Sequence, residues 1–69
     1  MEKDNLLIEL GLKVKKIRKS KGMTQTELAY EVGKDHPSIN RLENGKFNPS
    51  YIFLLEIAEG LGVHITEIL

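Results

Sequence analysis

We expect an all-α fold of five short helices for this chain. Apolar residues recur at three- and four-residue intervals along most of its length, which is the period of one helix face. Residues that favour helix ends separate these stretches, and no stretch alternates with the period of two that a half-buried strand requires. Because the chain has only 69 residues, we expect residues 1–69 to form a single domain, with residues 1–9 as an extension of its first helix.

The first two helices are indicated by their apolar spacing and by their ends. The first is predicted from about residue 5 to residue 21, and Gly22 suits its C-terminal stop. The apolar face of this helix is formed by Leu7, Leu10, Val14 and Ile17. Thr24 and Glu27 have the three-residue spacing of a capping box, which predicts a second helix that ends at Gly33.

Residues that suit the N-cap position indicate where the third and fourth helices begin. Asp35 suits the N-terminus of a third helix, which would end before Gly45. Ser50 suits the N-terminus of a fourth helix over residues 51–61. Residues 63–69 leave room for one or two further turns that cover the core, and these turns complete the expected five helices.

The composition argues against several kinds of chemistry. The chain has no cysteine, so it can form neither a disulfide nor a thiolate metal site. His36 and His64 are 28 residues apart with no ligand pattern nearby, and no serine has a suitable base beside it. We therefore expect no enzymatic activity, no metal and no cofactor. Without a signal peptide or an 18-residue apolar stretch, the expected location is the cytoplasm, with no membrane partner.

The charges cancel overall but are unevenly distributed. Ten basic and ten acidic residues give a net charge of zero, which by itself argues against strong attraction to phosphates. Residues 1–22 nevertheless hold seven of the bases and only three acids. Six of these bases lie within nine residues: Lys13, Lys15, Lys16, Arg18, Lys19 and Lys21. This run is either an ordinary solvated helix face, which composition alone favours, or a positive surface that can face DNA.

The second and third helices fit a helix-turn-helix motif, in which two short helices cross steeply after a tight turn. Ala29 is small where the helices would approach each other, Gly33 accepts a positive φ in the turn, and Ile39 would anchor the third helix. The full pattern is Thr24-Gln25, Leu28-Ala29, Gly33, Ile39, Leu42-Glu43-Asn44-Gly45, Pro49-Ser50, Leu54, Ala58 and Leu61-Gly62-Val63. With these residues the chain resembles the Cro/phage-repressor (XRE-type) helix-turn-helix family, and in size it is similar to stand-alone members such as restriction–modification controller proteins.

The resemblance implies a lambda-repressor-like domain that binds double-stranded operator DNA as a transcriptional regulator, without a small-molecule ligand domain. The third helix would then be the recognition helix, whose N-terminal side chains contact base edges in the major groove. The candidates for base contacts are His36, Pro37, Ser38, Asn40 and Arg41. Arg41 is the strongest of these, because a guanidinium pairs with O6 and N7 of guanine, worth about 1–3 kcal/mol of discrimination. Asn40 either contacts adenine in a similar way or is simply a solvated polar residue.

The resemblance also implies contacts that position the motif on the duplex. The side chains expected at phosphates are Gln25, Lys34, Asn44 and Lys46, although an exposed lysine needs no such role. Arg18 and Glu43 occupy positions that members of the family often join by an ion pair. Arg18 is therefore expected to hold the first helix against the third, and removing one partner of the pair should lower stability.

The fourth helix is more apolar than a single buried face requires. Seven of the eight residues 51–58 are apolar or aromatic, whereas a surface helix needs about three or four such residues in two turns. The residues expected to remain exposed and to form a dimer interface are Ile52, Phe53 and Leu55. Because the family dimerises in this region, we expect a homodimer on a palindromic operator. The alternatives are that residues 6–8 cover these side chains, or that they bind another protein, as in an antitoxin.

Overall fold

The computed structural model describes residues 2–69, which form four α-helices and one 3₁₀ turn. The helices are α1 (Lys3–Ser20), α2 (Gln25–Val32), α3 (His36–Glu43) and α4 (Tyr51–Leu61), and the turn is Ile65–Glu67. No strand occurs between residues 2 and 69. The all-α prediction is therefore confirmed.

The prediction of five helices is wrong, because the last element is a 3₁₀ turn of three residues, Ile65–Glu67. A 3₁₀ helix has three residues per turn, so residues i and i+3 lie on the same side. Ile65 and Ile68 have this spacing, and both are buried. The short turn is thus sufficient to place two isoleucines on the core. His64 caps it, with Nδ1 accepting a hydrogen bond from the N–H of Thr66 at 3.2 Å.

The first helix extends further towards the N-terminus than its apolar pattern indicates. It begins at Lys3, two residues before the predicted start, and ends at Ser20. The side chains of Leu6 and Ile8 in this early part are 50% and 46% exposed. These first turns therefore contribute less to the core than the later turns around Val14, which is fully buried.

Side-chain caps define where α2 and α3 begin. Thr24 and Glu27 form a capping box, in which Thr24 Oγ1 accepts from the N–H of Glu27 at 3.0 Å. In return, Glu27 Oε1 accepts from the N–H of Thr24 at 2.8 Å. Asp35 Oδ1 accepts from the N–H of Ser38 at 2.7 Å. Hydrogen bonds from the backbone and side chain of Thr24 lower the pKa of Glu27, and bonds from the side chain and backbone of Ser38 lower that of Asp35.

All four helices and the C-terminal segment contribute to one core. The largest fully buried side chains are Leu28, Ile39, Leu42, Ile57, Ile68 and Val14. Burying one such side chain stabilises the fold by about 1.5–3 kcal/mol. Since α3 supplies Ile39 and Leu42, its orientation is fixed by the core, and its opposite side is left for other contacts.

Helices α1 and α3 approach each other closely at Gly11. A Cβ atom at this position would clash with the carbonyl oxygen of Leu42 and would lie 2.6 Å from that of Glu43. These are backbone atoms of a packed helix, so they cannot move away at low cost. The close approach brings Arg18, two turns further along α1, beside the carboxylate of Glu43.

Candidate nucleic-acid interface

A tight turn sets the relative orientation of α2 and α3. Only residues 33–35 separate the two helices. Gly33 has φ +67° and its N–H bonds to the carbonyls of Ala29 and Tyr30, which ends α2 in a left-handed conformation that costs glycine little. Ala29 is 3% exposed, in keeping with a small side chain at the helix crossing. The predicted roles of these two small residues agree with their positions.

One face of α3 is buried and the other is open. Ile39 and Leu42 are buried, whereas the five side chains predicted to contact bases lie at the surface of the helix: His36, Pro37, Asn40 and Arg41 are exposed and Ser38 is half-buried. Arg41 Nη2 donates to Ser38 Oγ at a long 3.4 Å. This weak bond leaves most of the guanidinium donors free for an acceptor outside the chain.

Few acidic groups lie near the open face of α3. The only acid within α3, Glu43, is 3% exposed and paired with Arg18. Glu31, Glu56 and Glu59 instead line a groove between α2 and α4. One exposed carboxylate, that of the N-cap Asp35, does lie near Arg41: hydrogen bonds from Ser38 and, to a smaller extent, the charge of Arg41 lower the pKa of Asp35. The open face of α3 therefore carries the positive charge of Arg41 with one carboxylate at its N-terminal end, in a chain whose net charge is zero.

A buried ion pair joins α1 to the end of α3. Arg18 Nε lies 2.6 Å from Glu43 Oε2, and Arg18 Nη2 donates to Glu43 Oε1 at 2.9 Å. Arg18 Nη1 donates to the carbonyl of Met23 at 2.7 Å. The hydrogen bond to Glu43 raises the pKa of the Arg18 guanidinium further above neutrality. Arg18 is 6% exposed, so it is not part of the surface charge.

Gln25 connects this ion pair to the open face of α3. Its Nε2 donates to Glu43 Oε1 at 3.0 Å, and its Oε1 lies 2.8 Å from His36 Nε2 and 3.2 Å from Asn40 Nδ2. Asn44 Nδ2 in turn donates to Asn40 Oδ1 at 3.2 Å. The sequence spacing of Gln25 from Glu43, His36 and Asn40 gives no signal for these bonds, because they depend on the crossing of α2 over α3.

The two lysines predicted to contact phosphates differ in their surroundings. Lys46 is exposed. Lys34 instead lies over the ring of Phe53 at 4.3 Å from its centroid, and its Nζ is 2.9 Å from Glu56 Oε1. The structure therefore directs Lys34 towards α4, because an aromatic ring and a carboxylate are both within its reach.

The apolar residues of α4 divide between the core and the surface. Ile52 is 63% exposed and Leu55 is 36% exposed, so residues 6–8 do not cover them. Phe53 is only half-buried and packs edge-on against Phe47, with ring centroids 5.3 Å apart. The expectation that Phe53 is as exposed as Ile52 is wrong, because its ring packs against Phe47 and lies beneath Lys34 Nζ. Tyr51, which the sequence analysis did not single out, is 58% exposed.

Two other kinds of site have no support in the part of the chain that is described. Residues 2–69 contain no group of three histidine or acidic side chains placed to hold a metal ion. Over the same range, no helix has both the length and the apolar character needed to span a bilayer.

Known proteins share both the sequence pattern and the fold. A family model described as helix-turn-helix matches residues 14–68. The control protein C.MunI from Mycoplasma is 35% identical over 66 residues, which cover 94% of this chain and 89% of that protein. The crystal structure of the restriction-modification controller protein C.AhdI from Aeromonas hydrophila superimposes with a TM-score of 0.89 at 28% identity, covering 91% of this chain and 96% of that one. The controller protein C.Esp1396I, solved as a tetramer with its natural 35 base-pair operator, gives a TM-score of 0.82 at 37% identity, covering 91% and 93%.

Proposed function

Because this chain belongs to the helix-turn-helix family, we propose that it is a transcriptional regulator that binds a palindromic operator in double-stranded DNA as a homodimer. Residues 1–69 would act as one DNA-binding domain in the cytoplasm. The observation that carries the proposal is that α3 has one buried face and one exposed face. Ile39 and Leu42 lie on the buried face, and Arg41 lies on the exposed face. An α-helix of this kind fits the major groove of B-DNA.

The proposed roles on the duplex follow from the positions of the side chains. Arg41 would pair with a guanine, and His36, Pro37, Ser38 and Asn40 would contact neighbouring base edges. Lys46 and Asn44, next to the end of α3, would contact phosphates, as would the N-terminus of α2 at Gln25. Lys34 is not assigned a phosphate contact, since its Nζ pairs with Glu56 and lies over the ring of Phe53.

The proposal of a homodimer is supported by the exposed apolar side chains of α4 and by the size of the molecule. The chain measures 31 × 23 × 21 Å. Two copies of this size that meet through Ile52 and Leu55 could span two half-sites one turn of DNA apart, about 34 Å. A neutral chain also has little non-specific attraction to phosphates, so binding with two copies would supply affinity that one copy lacks.

Selection of bound sites from random duplexes, followed by titration of the best site at several salt concentrations, tests this function. We expect a two-fold symmetric site that survives competitor DNA, and an affinity that falls steeply with salt. Arg41→Ala should lose about 1–3 kcal/mol and relax the preference at one base pair per half-site. Binding that is absent at all salt concentrations would refute the proposal.

A second candidate function is a protein-interaction module, such as an antitoxin, which the exposed Ile52 and Leu55 favour. The variant Ile52→Glu separates the two. If α4 forms the homodimer, this variant should be monomeric by analytical ultracentrifugation and should bind the operator weakly, whereas the matched surface variant Lys16→Glu should remain dimeric. A wild-type chain that is monomeric both free and on DNA would favour the interaction module.

A further inference from the structure

We propose that His36 contributes to operator specificity as a hydrogen-bond acceptor, with Nδ1 directed at an exocyclic amino group of a base. This inference rests on the proposed function. It specifies that one residue of the recognition helix accepts a hydrogen bond from a base instead of donating one. In the major groove such amino groups are N6 of adenine and N4 of cytosine.

The carboxylate of Glu43 fixes the orientation of the Gln25 amide. A carboxylate paired with an arginine can only accept hydrogen bonds, and Glu43 Oε1 lies 3.0 Å from one end of this amide. That end must therefore be the NH₂ group. The carbonyl oxygen of Gln25 consequently points towards α3, where Asn40 Nδ2 donates to it at 3.2 Å.

The same carbonyl oxygen fixes the tautomer of His36. Gln25 Oε1 can only accept, and it lies 2.8 Å from His36 Nε2. Nε2 must therefore carry the proton of the neutral ring, which leaves Nδ1 with a lone pair and no proton. Glu43 thus determines the hydrogen-bonding polarity of an exposed residue to which it makes no direct contact.

The free nitrogen is available to a ligand. Within residues 2–69, the hydrogen bond of the His36 ring is made by Nε2, and Nδ1 has no partner. The side chain is exposed, and His36 is the first residue of α3. This is the end of a recognition helix that lies deepest in the groove. An acceptor at this position can bind an amino group of a base but repels a carbonyl oxygen or a ring nitrogen. Arg41, five residues further along α3, has only donors.

The tautomer can be tested in the free protein by long-range ¹H–¹⁵N correlation spectroscopy of the histidine rings at about pH 8, where an ordinary histidine is neutral. We expect His36 to be protonated at Nε2 in the wild type, with a proton that exchanges slowly. In Gln25→Met, which removes the acceptor at similar length, that proton should exchange as fast as one on a fully solvated ring. A wild-type ring protonated at Nδ1 would overturn the inference without bearing on DNA binding.

The base contact can be tested with the selected operator by removing amino groups one at a time. Each adenine of a half-site is replaced by purine and each cytosine by pyrimidin-2-one, and affinity is measured for the wild type and for His36→Ala. For one base in each half-site, loss of the amino group should weaken wild-type binding about three- to tenfold, as expected for one hydrogen bond. The same replacement should have no effect on His36→Ala and its full effect on the control Glu31→Ala, whose side chain is exposed in the groove between α2 and α4.

The outcomes distinguish this inference from the function on which it rests. If the wild type selects a specific site but no amino group shows this dependence on His36, the inference is wrong and the function stands. If the wild type selects no site, both are wrong. Circular dichroism of His36→Ala should show the wild-type helix content, since the side chain is exposed.

Discussion

The variant Glu43→Ala removes the acceptor of three hydrogen bonds inside the protein. Arg18 loses the partners of Nε and Nη2, and Gln25 loses the partner of Nε2. Arg18 would keep only the carbonyl of Met23 while remaining almost fully buried. Leaving a buried charge unpaired in this way costs about 3–5 kcal/mol. A 69-residue chain has a total stability of about 3–10 kcal/mol, so this one change should remove a large part of it.

Thermal and urea unfolding followed by circular dichroism measure this loss. For a domain of this size 1 kcal/mol shifts Tm by about 4–8 °C, so a decrease of about 12 °C or more is expected. Glu43→Gln, which keeps the length and one acceptor, should lie between the wild type and alanine.

The double variant Arg18→Met/Glu43→Leu distinguishes loss of an ion pair from loss of packing. It leaves no unpaired charge, so it should recover most of the stability lost in Glu43→Ala. A Tm of Glu43→Ala within about 3 °C of the wild type, or a double variant less stable than Glu43→Ala, would contradict this role of the ion pair.

Three further predictions concern other parts of the molecule. Gly11→Ala should lower stability by about 1–3 kcal/mol in the same unfolding assay, because its methyl group meets backbone atoms; a stability equal to the wild type would contradict the close approach. Glu27 and Asp35 have lowered pKa values in the folded chain, so they stabilise it above their unfolded pKa values, and this contribution disappears as pH falls through the folded values. Glu27→Gln/Asp35→Asn should therefore lose less stability than the wild type on acidification from about pH 5 to pH 2, and equal losses would argue against the caps. Lys46→Ala should reduce the salt dependence of operator binding by about one ion, whereas Lys34→Met should leave it unchanged; an equal effect of the two would show that Lys34 also contacts phosphate.

Much of the fold could be predicted from local chemistry. The capping box of Thr24 and Glu27 and the cap at Asp35 each act within four residues, so their sequence spacing alone predicts where α2 and α3 begin. The last element could not be predicted in this way. Its form depends on how Ile65 and Ile68 reach the core, and a 3₁₀ turn satisfies that contact with fewer residues than an α-helix.

The candidate site was predictable as a set of residues but not as an arrangement. The spacing of Ile39 and Leu42 alone determines which side of α3 is buried, and so which side chains are free to contact DNA. The hydrogen bonds of Gln25 and the ion pair of Lys34 with Glu56 join residues that are 11–22 positions apart in the chain. Such contacts depend on helix crossings, and only the tertiary structure sets the distances across them.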